Sequence, residues 1–161
     1  MKEATRQRIV FFTVLYLGAF LLNFFWECGQ GLLYKAHQDF PARVYVPMMV
    51  QMALLDALSI TGLYLFTSIF ARSLVWRPCA RNLAVFSLSG AVCAWAVEYA
   101  SVNLLHAWSY TAGMPMLFMV GLFPLLQLPL TGISALFNGT KFCGIFQRIS
   151  PEPPTSLYDE Q

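Results

Sequence analysis

Three acidic residues, Glu27, Asp56 and Glu98, lie inside long apolar stretches of this chain. An ionisable side chain at mid-helix in hydrocarbon costs roughly 2.5–3.5 kcal/mol on insertion scales, so each needs a physical reason. A carboxyl in a water-poor site can keep its proton near neutral pH and donate it to a double bond. Tryptophan and tyrosine faces can stabilise the cation that results. A second carboxyl, or an imidazole such as His106, can then remove a proton and complete a cyclisation or isomerisation. Glu27, Glu98 and His106 are therefore the candidate acid–base residues, in an order the residues leave open.

Helical periodicity supplies their neighbours. Asn23, Glu27 and Gln30 follow i, i+4, i+7 and share one face. Gly90, Ala94, Glu98 and Ser101 share another, where small residues let a second helix approach while the acid points inward. Gln51 lies at a similar depth, and Gln127, Thr131 and Ser134 form a polar stripe further on. The segment His106-Ala107-Trp108-Ser109-Tyr110 brings an imidazole and two amphipathic aromatics towards the level of Trp26, Trp95 and Tyr99. Asn23, Trp26, Gln30, Gln51, Trp95, Tyr99, Trp108, Tyr110 and Gln127 are thus the expected walls of a substrate site. Asp56 is expected to pair with Gln127 in a structural role. Taken singly, each has a plainer explanation: an acid reaching headgroups, an aromatic belt, an interhelical hydrogen bond, a solvated loop histidine. Coincidence of depth is what favours a site.

The elements that must position these residues follow from composition. The chain has 161 residues, 58% hydrophobic and 11% charged; ordinary soluble domains carry about 25% charged residues. One soluble core of this length cannot hide that much apolar surface. A spanning helix needs about 20 mostly apolar residues, and four stretches qualify, at about 9–28, 44–70, 82–104 and 115–137. The expected fold is all-α, an integral-membrane four-helix bundle over residues 1–140, with a largely disordered cytoplasmic tail over 141–161. At about 1.5 Å per residue, Glu27 and Glu98 fall in the outer third and Asp56 near the midplane.

Lys2, Arg6, Arg8, Arg72, Arg77, Arg81, Lys141 and Arg148 fall on one side of these spans, against Lys35 and Arg43 on the other. Positive loops stay inside, which puts both termini in the cytoplasm, as in a bacterial inner membrane or its equivalent. The first apolar run is longer than a signal-peptide core and lacks a small-x-small cleavage site, so it reads as a retained helix.

A net charge of +2 and the lack of a basic–aromatic stripe speak against nucleic acid. Cys28, Cys79, Cys93 and Cys143 form no CxxC and have no histidine at ligand spacing, so neither a metal nor a cofactor is expected. Phosphate-loop, dinucleotide, nucleophile-elbow and zincin signatures are absent.

Asn23-Phe24-Phe25-Trp26-Glu27 resembles the Trp-Glu element of membrane-bound terpene cyclases. Glu98…Trp108-Ser109-Tyr110…Gly121…Pro124-Leu125-Leu126-Gln127 is similar in layout to lycopene cyclase domains of carotenoid biosynthesis. Gln127 and apolar neighbours stand where those domains carry paired acids. The resemblance implies an isoprenoid-like apolar substrate and cyclase or isomerase chemistry. A non-enzymatic lipid- or pigment-binding protein, or an accessory subunit of a larger membrane complex, is the alternative, and a small proton-coupled transporter the third. Homo-oligomerisation stays open.

Overall fold

The computed structural model describes residues 3–149. Four long helices dominate: α1 (Glu3–Gln30), α2 (Ala42–Ala71), α3 (Ala80–Tyr99) and α4 (Leu122–Ile149). All four contain stretches long and apolar enough to cross a membrane. Large apolar side chains such as Leu21, Phe25, Leu58, Ile69, Leu88 and Val92 stand exposed, while Asn23, Gln30, Gln127 and Thr131 are buried. That inside-out distribution is compatible with a multi-pass membrane protein, where lipid replaces water around the bundle.

The helices run up and down. One end carries the 72–79 connection beside the start of α1 and the latter part of α4, and is called here the terminal end. The other carries the connections 31–41 and 105–121, and is called the roofed end. Near the terminal end the core is apolar and aromatic: Phe11, Leu15, Ile60, Tyr64, Phe86 and Leu136 are all buried. Gly132 admits the ring of Phe86, since a Cβ there would stand 2.6 Å from the ring's Cζ. Gly31 does the same for Tyr45, whose hydroxyl donates to the Cys28 carbonyl at 3.0 Å and ties the start of α2 to the end of α1.

Two boundaries differ from the sequence expectation. The apolar run from 115 does not open as a helix. Met116–Leu117 (β1) pairs antiparallel with Val120–Gly121 (β2), and α4 begins only at Leu122. Phe118 and Met119 turn the hairpin with φ of 50° and 66°, a backbone state that no helix permits. Apolarity alone could not reveal this, because a buried or membrane-facing turn and a helix have the same hydropathy. Pro124 consequently sits in the first turn of α4, where no helical hydrogen bond is lost; Pro129 alone is interior. At its other end α4 continues to Ile149, taking in the first nine residues of the expected tail, and residues 150–161 lie outside the described residues.

Candidate functional site

Glu27, Asp56 and Glu98, from α1, α2 and α3, line one cavity of about 230 Å³ below the roofed end. Glu27 and Glu98 are each 8% exposed. The remaining lining is largely apolar or weakly polar, including Met52, Leu55, Val97, Pro124 and Leu128, and contains no lysine or arginine among the described residues. Three carboxyls therefore meet without a cation to offset them, and only neutral donors serve them.

The first set of donors centres on Gln127 of α4. Its Nε2 stands 2.6 Å from Glu27 Oε1, 2.6 Å from Asp56 Oδ2 and 3.1 Å from Asn23 Oδ1. Gln30 Nε2 donates to Gln127 Oε1 at 2.7 Å and to Glu27 Oε1 at 2.9 Å. Trp26 Nε1 donates to Gln30 Oε1 at 3.0 Å, and Thr131 Oγ1 to Asn23 Oδ1 at 3.1 Å. An amide nitrogen carries two hydrogens, fewer than the three acceptors around Gln127. Glu27 Oε1 and Asp56 Oδ2 thus converge on one amide nitrogen, with no cation beside them. The arrangement is a pair of carboxyls from two helices, held together by an amide from a third.

The second set surrounds Glu98. Tyr34 OH donates to Oε1 at 3.0 Å, Trp108 Nε1 to Oε2 at 3.2 Å, and Tyr110 OH also to Oε2. Local backbone geometry brings these donors back. α3 ends in a π turn over Ala100–Leu104, and His106 follows with φ 52°, which reverses the chain. Residues 107–111 then run back towards Glu98. The returning strand is stitched to the α1–α2 connection: Lys35 N donates to Ser109 O at 3.0 Å, and Thr111 N to Leu33 O at 2.8 Å. Burial and the Glu98 carboxyl raise the hydroxyl pKa of both Tyr34 and Tyr110, so both remain donors across the physiological range.

This stitching joins the two connections into a roof over Glu98. Leu55 of α2 and Val97 of α3 both line the cavity, yet stand 51% and 56% exposed on the outside of the bundle.

Of the residues singled out from sequence, Glu27, Gln30, Asp56, Glu98, Trp108 and Gln127 border the cavity. Asn23, Trp26 and Tyr110 stand behind it and hold the lining residues by the bonds above. His106 does not join them: it is exposed, and its Nδ1 lies 3.1 Å from the Val102 carbonyl. Gln51 is exposed on α2. Trp95 stacks on Tyr99 at 5.0 Å and donates to the Phe118 carbonyl, bracing the hairpin outside the cavity. Ser134 faces outward and bonds within its own helix to Leu130 O at 2.8 Å.

Sequence reasoning missed Tyr34 and His37. Tyr34 falls in sequence register with Asn23, Glu27 and Gln30, four residues beyond the end of α1 in extended backbone. His37 has no such signal, because two short 3₁₀ turns, Gly31–Leu33 and Lys35–His37, place it at the cavity. Burial lowers its pKa, and its Nδ1 has no hydrogen-bond partner among the described residues. No group of three or more His, Cys, Asp or Glu at metal-holding geometry occurs among the described residues. No family model, curated protein or solved structure matches the chain.

Proposed function

We propose that the chain crosses a membrane four times with both termini cytoplasmic, and that the chamber is a cofactor-independent acid–base site for an apolar lipid. The isoprenoid class suits it, with isomerisation or cyclisation as the reaction. The carrying observation is the meeting of three carboxyls, without a cation, in a cavity whose other walls are mainly apolar. The excess of lysine and arginine at the terminal end supports the orientation, in a bacterial inner membrane or its equivalent.

In this reading the substrate's double bond enters between α2 and α3. A cavity of about 230 Å³ falls below the usual range of about 300–1,000 Å³ for ligand pockets. It suits one end of a lipid, with the rest of the chain left in the bilayer. The Glu27–Asp56 pair gives its proton to one carbon, and the π electrons form the new C–H bond. Tyr34 and Trp108 border the carbocation that results. Glu98 then accepts a proton from a neighbouring carbon, whose C–H electrons form the new double bond. The product has the substrate's composition, and between turnovers Glu98 gives up its proton to solvent while the acid pair takes one from it, which resets the site.

A proton exchanged with solvent in each turnover makes the reaction visible before its substrate is known. Purified protein in nanodiscs is incubated with a total lipid extract in deuterated water, and apolar lipids are analysed by mass spectrometry. One species is expected to gain a deuterium with the wild-type chain. Glu98→Gln is expected to lower the rate by about 10²–10⁴-fold, the usual contribution of a positioned acid or base. No incorporation by wild type, or equal incorporation by a folded Glu98→Gln variant, would overturn the enzyme reading.

A second reading draws on the same bonds. Gln127 joins α4 to α1 and α2, and Glu98 joins α3 to both roof connections, as helix-fixing residues do. A lipid-binding or accessory protein would then co-purify with a lipid, leave its isotope content unchanged, and lose stability in Glu98→Gln.

A further inference from the structure

A second cavity, of about 520 Å³, lies at the terminal end of the bundle and takes no part in the carboxyl chemistry. Arg8 of α1 and Arg77 of the 72–79 connection both line it, with Gln7 and Thr140 beside them. Among the described residues no hydrogen bond or ion pair engages either guanidinium, and no acidic residue lines the cavity. Its apolar side includes Phe11, Pro78 and Trp76. Trp76 is a fixed wall: its backbone N–H donates to Tyr64 OH at 3.2 Å and its indole N–H to Tyr64 O at 3.3 Å. The two rings stack at 4.9 Å.

We infer that this cavity binds the phosphate of an anionic lipid from the adjoining leaflet. Guanidinium groups match phosphate oxygens with paired N–H donors and shed their hydration more readily than ammonium groups. Two of them, brought from separate segments to one hollow, provide that recognition, while Phe11 and the Trp76 wall suit the first part of the lipid's apolar body. Basic hollows between spanning helices select such headgroups on electrostatic grounds. A zwitterionic headgroup carries its own cation, which the two arginines disfavour. The site depends on the four-span reading for the origin of the lipid, and on nothing in the carboxyl chamber. Its failure therefore leaves the deuterium experiment standing, and the converse holds.

The test is native mass spectrometry of the full chain offered equal amounts of phosphatidylglycerol and phosphatidylcholine with matched acyl chains. At about 1 kcal/mol per arginine near a lipid phosphate, two arginines give roughly a 30-fold preference for phosphatidylglycerol. Arg8→Gln and Arg77→Gln are each expected to lower it about fivefold, and the double variant to abolish it. Arg72→Gln with Arg81→Gln removes the same charge from the same end outside the cavity, and is expected to preserve the preference. Equal uptake of both lipids by wild type would overturn the site, as would equal loss in the two double variants. Displacement of the lipid by added inorganic phosphate would overturn the lipid assignment in favour of a soluble phosphate.

Discussion

Towards the terminal end, the buried hydroxyls of Thr67 and Ser68 bond to carbonyls of their own helix, at 2.9 Å from Leu63 O and 2.9 Å from Tyr64 O, and Ser68 and Tyr64 otherwise reach the 72–79 connection that follows the same helix. Towards the roofed end, buried Gln127, Glu27, Asn23 and Glu98 bond to other helices and to the connections. Bonds within a helix ask nothing of its neighbours, so the terminal half is free to be packed by shape, with Phe86 set into the space at Gly132. Bonds between helices fix relative positions and need every partner present. One half of the bundle is therefore organised by volume and the other by direction, and only the second concentrates acids where chemistry can use them.

The sharpest way to break this contrast is to remove volume from the first half. Phe86→Ala is expected to cost about 3–5 kcal/mol of stability, the range for truncating a buried aromatic ring. Chemical denaturation in mild detergent measures it, and a loss below about 1 kcal/mol would show that shape does not organise that half.

Removing direction from the second half should cost less. Tyr110→Phe keeps the ring and deletes one of three donors to Glu98, for an expected loss of about 1–2 kcal/mol. A larger loss than Phe86→Ala would reverse the comparison.

The smallest expected effect is on pH dependence. Burial lowers the pKa of His37, so the folded state favours neutral imidazole. Its contribution is present above the unfolded value of about 6.5 and is lost as pH falls through the lower folded value. Thermal stability of the wild type should therefore decline more steeply under acid than that of His37→Gln. Parallel curves would remove His37 as a titrating part of the roof.

How far the architecture was legible depends on the kind of signal. The four long helices follow from apolar length, and Asn23, Glu27 and Gln30 from a 3.6-residue repeat; both are local properties. The hairpin at 116–121 escaped because its residues are as apolar as a helix and its reversal lies in two backbone angles. His106 looked like a base because imidazole suits the chemistry, but its left-handed conformation gives it the task of turning the chain. Tyr34 was hidden because it lies past the end of α1, in extended backbone between two 3₁₀ turns. Leu55 and Val97, which line the cavity yet face outward, are ordinary apolar residues whose position only the packing of α2 and α3 reveals.

The central proposal is that Glu27, Asp56 and Glu98 share one chamber that opens to lipid between α2 and α3, with the roof keeping water-borne solutes out. Carbodiimides differing in polarity test it, read by peptide mass spectrometry on the folded protein in nanodiscs. An apolar reagent is expected to modify chamber carboxyls, and more slowly in Val97→Trp. A water-soluble reagent is expected to modify exposed Asp39 and leave the chamber untouched. Modification of Glu27, Asp56 or Glu98 by the water-soluble reagent at the rate of Asp39 would contradict the account, as would chamber carboxyls that neither reagent reaches.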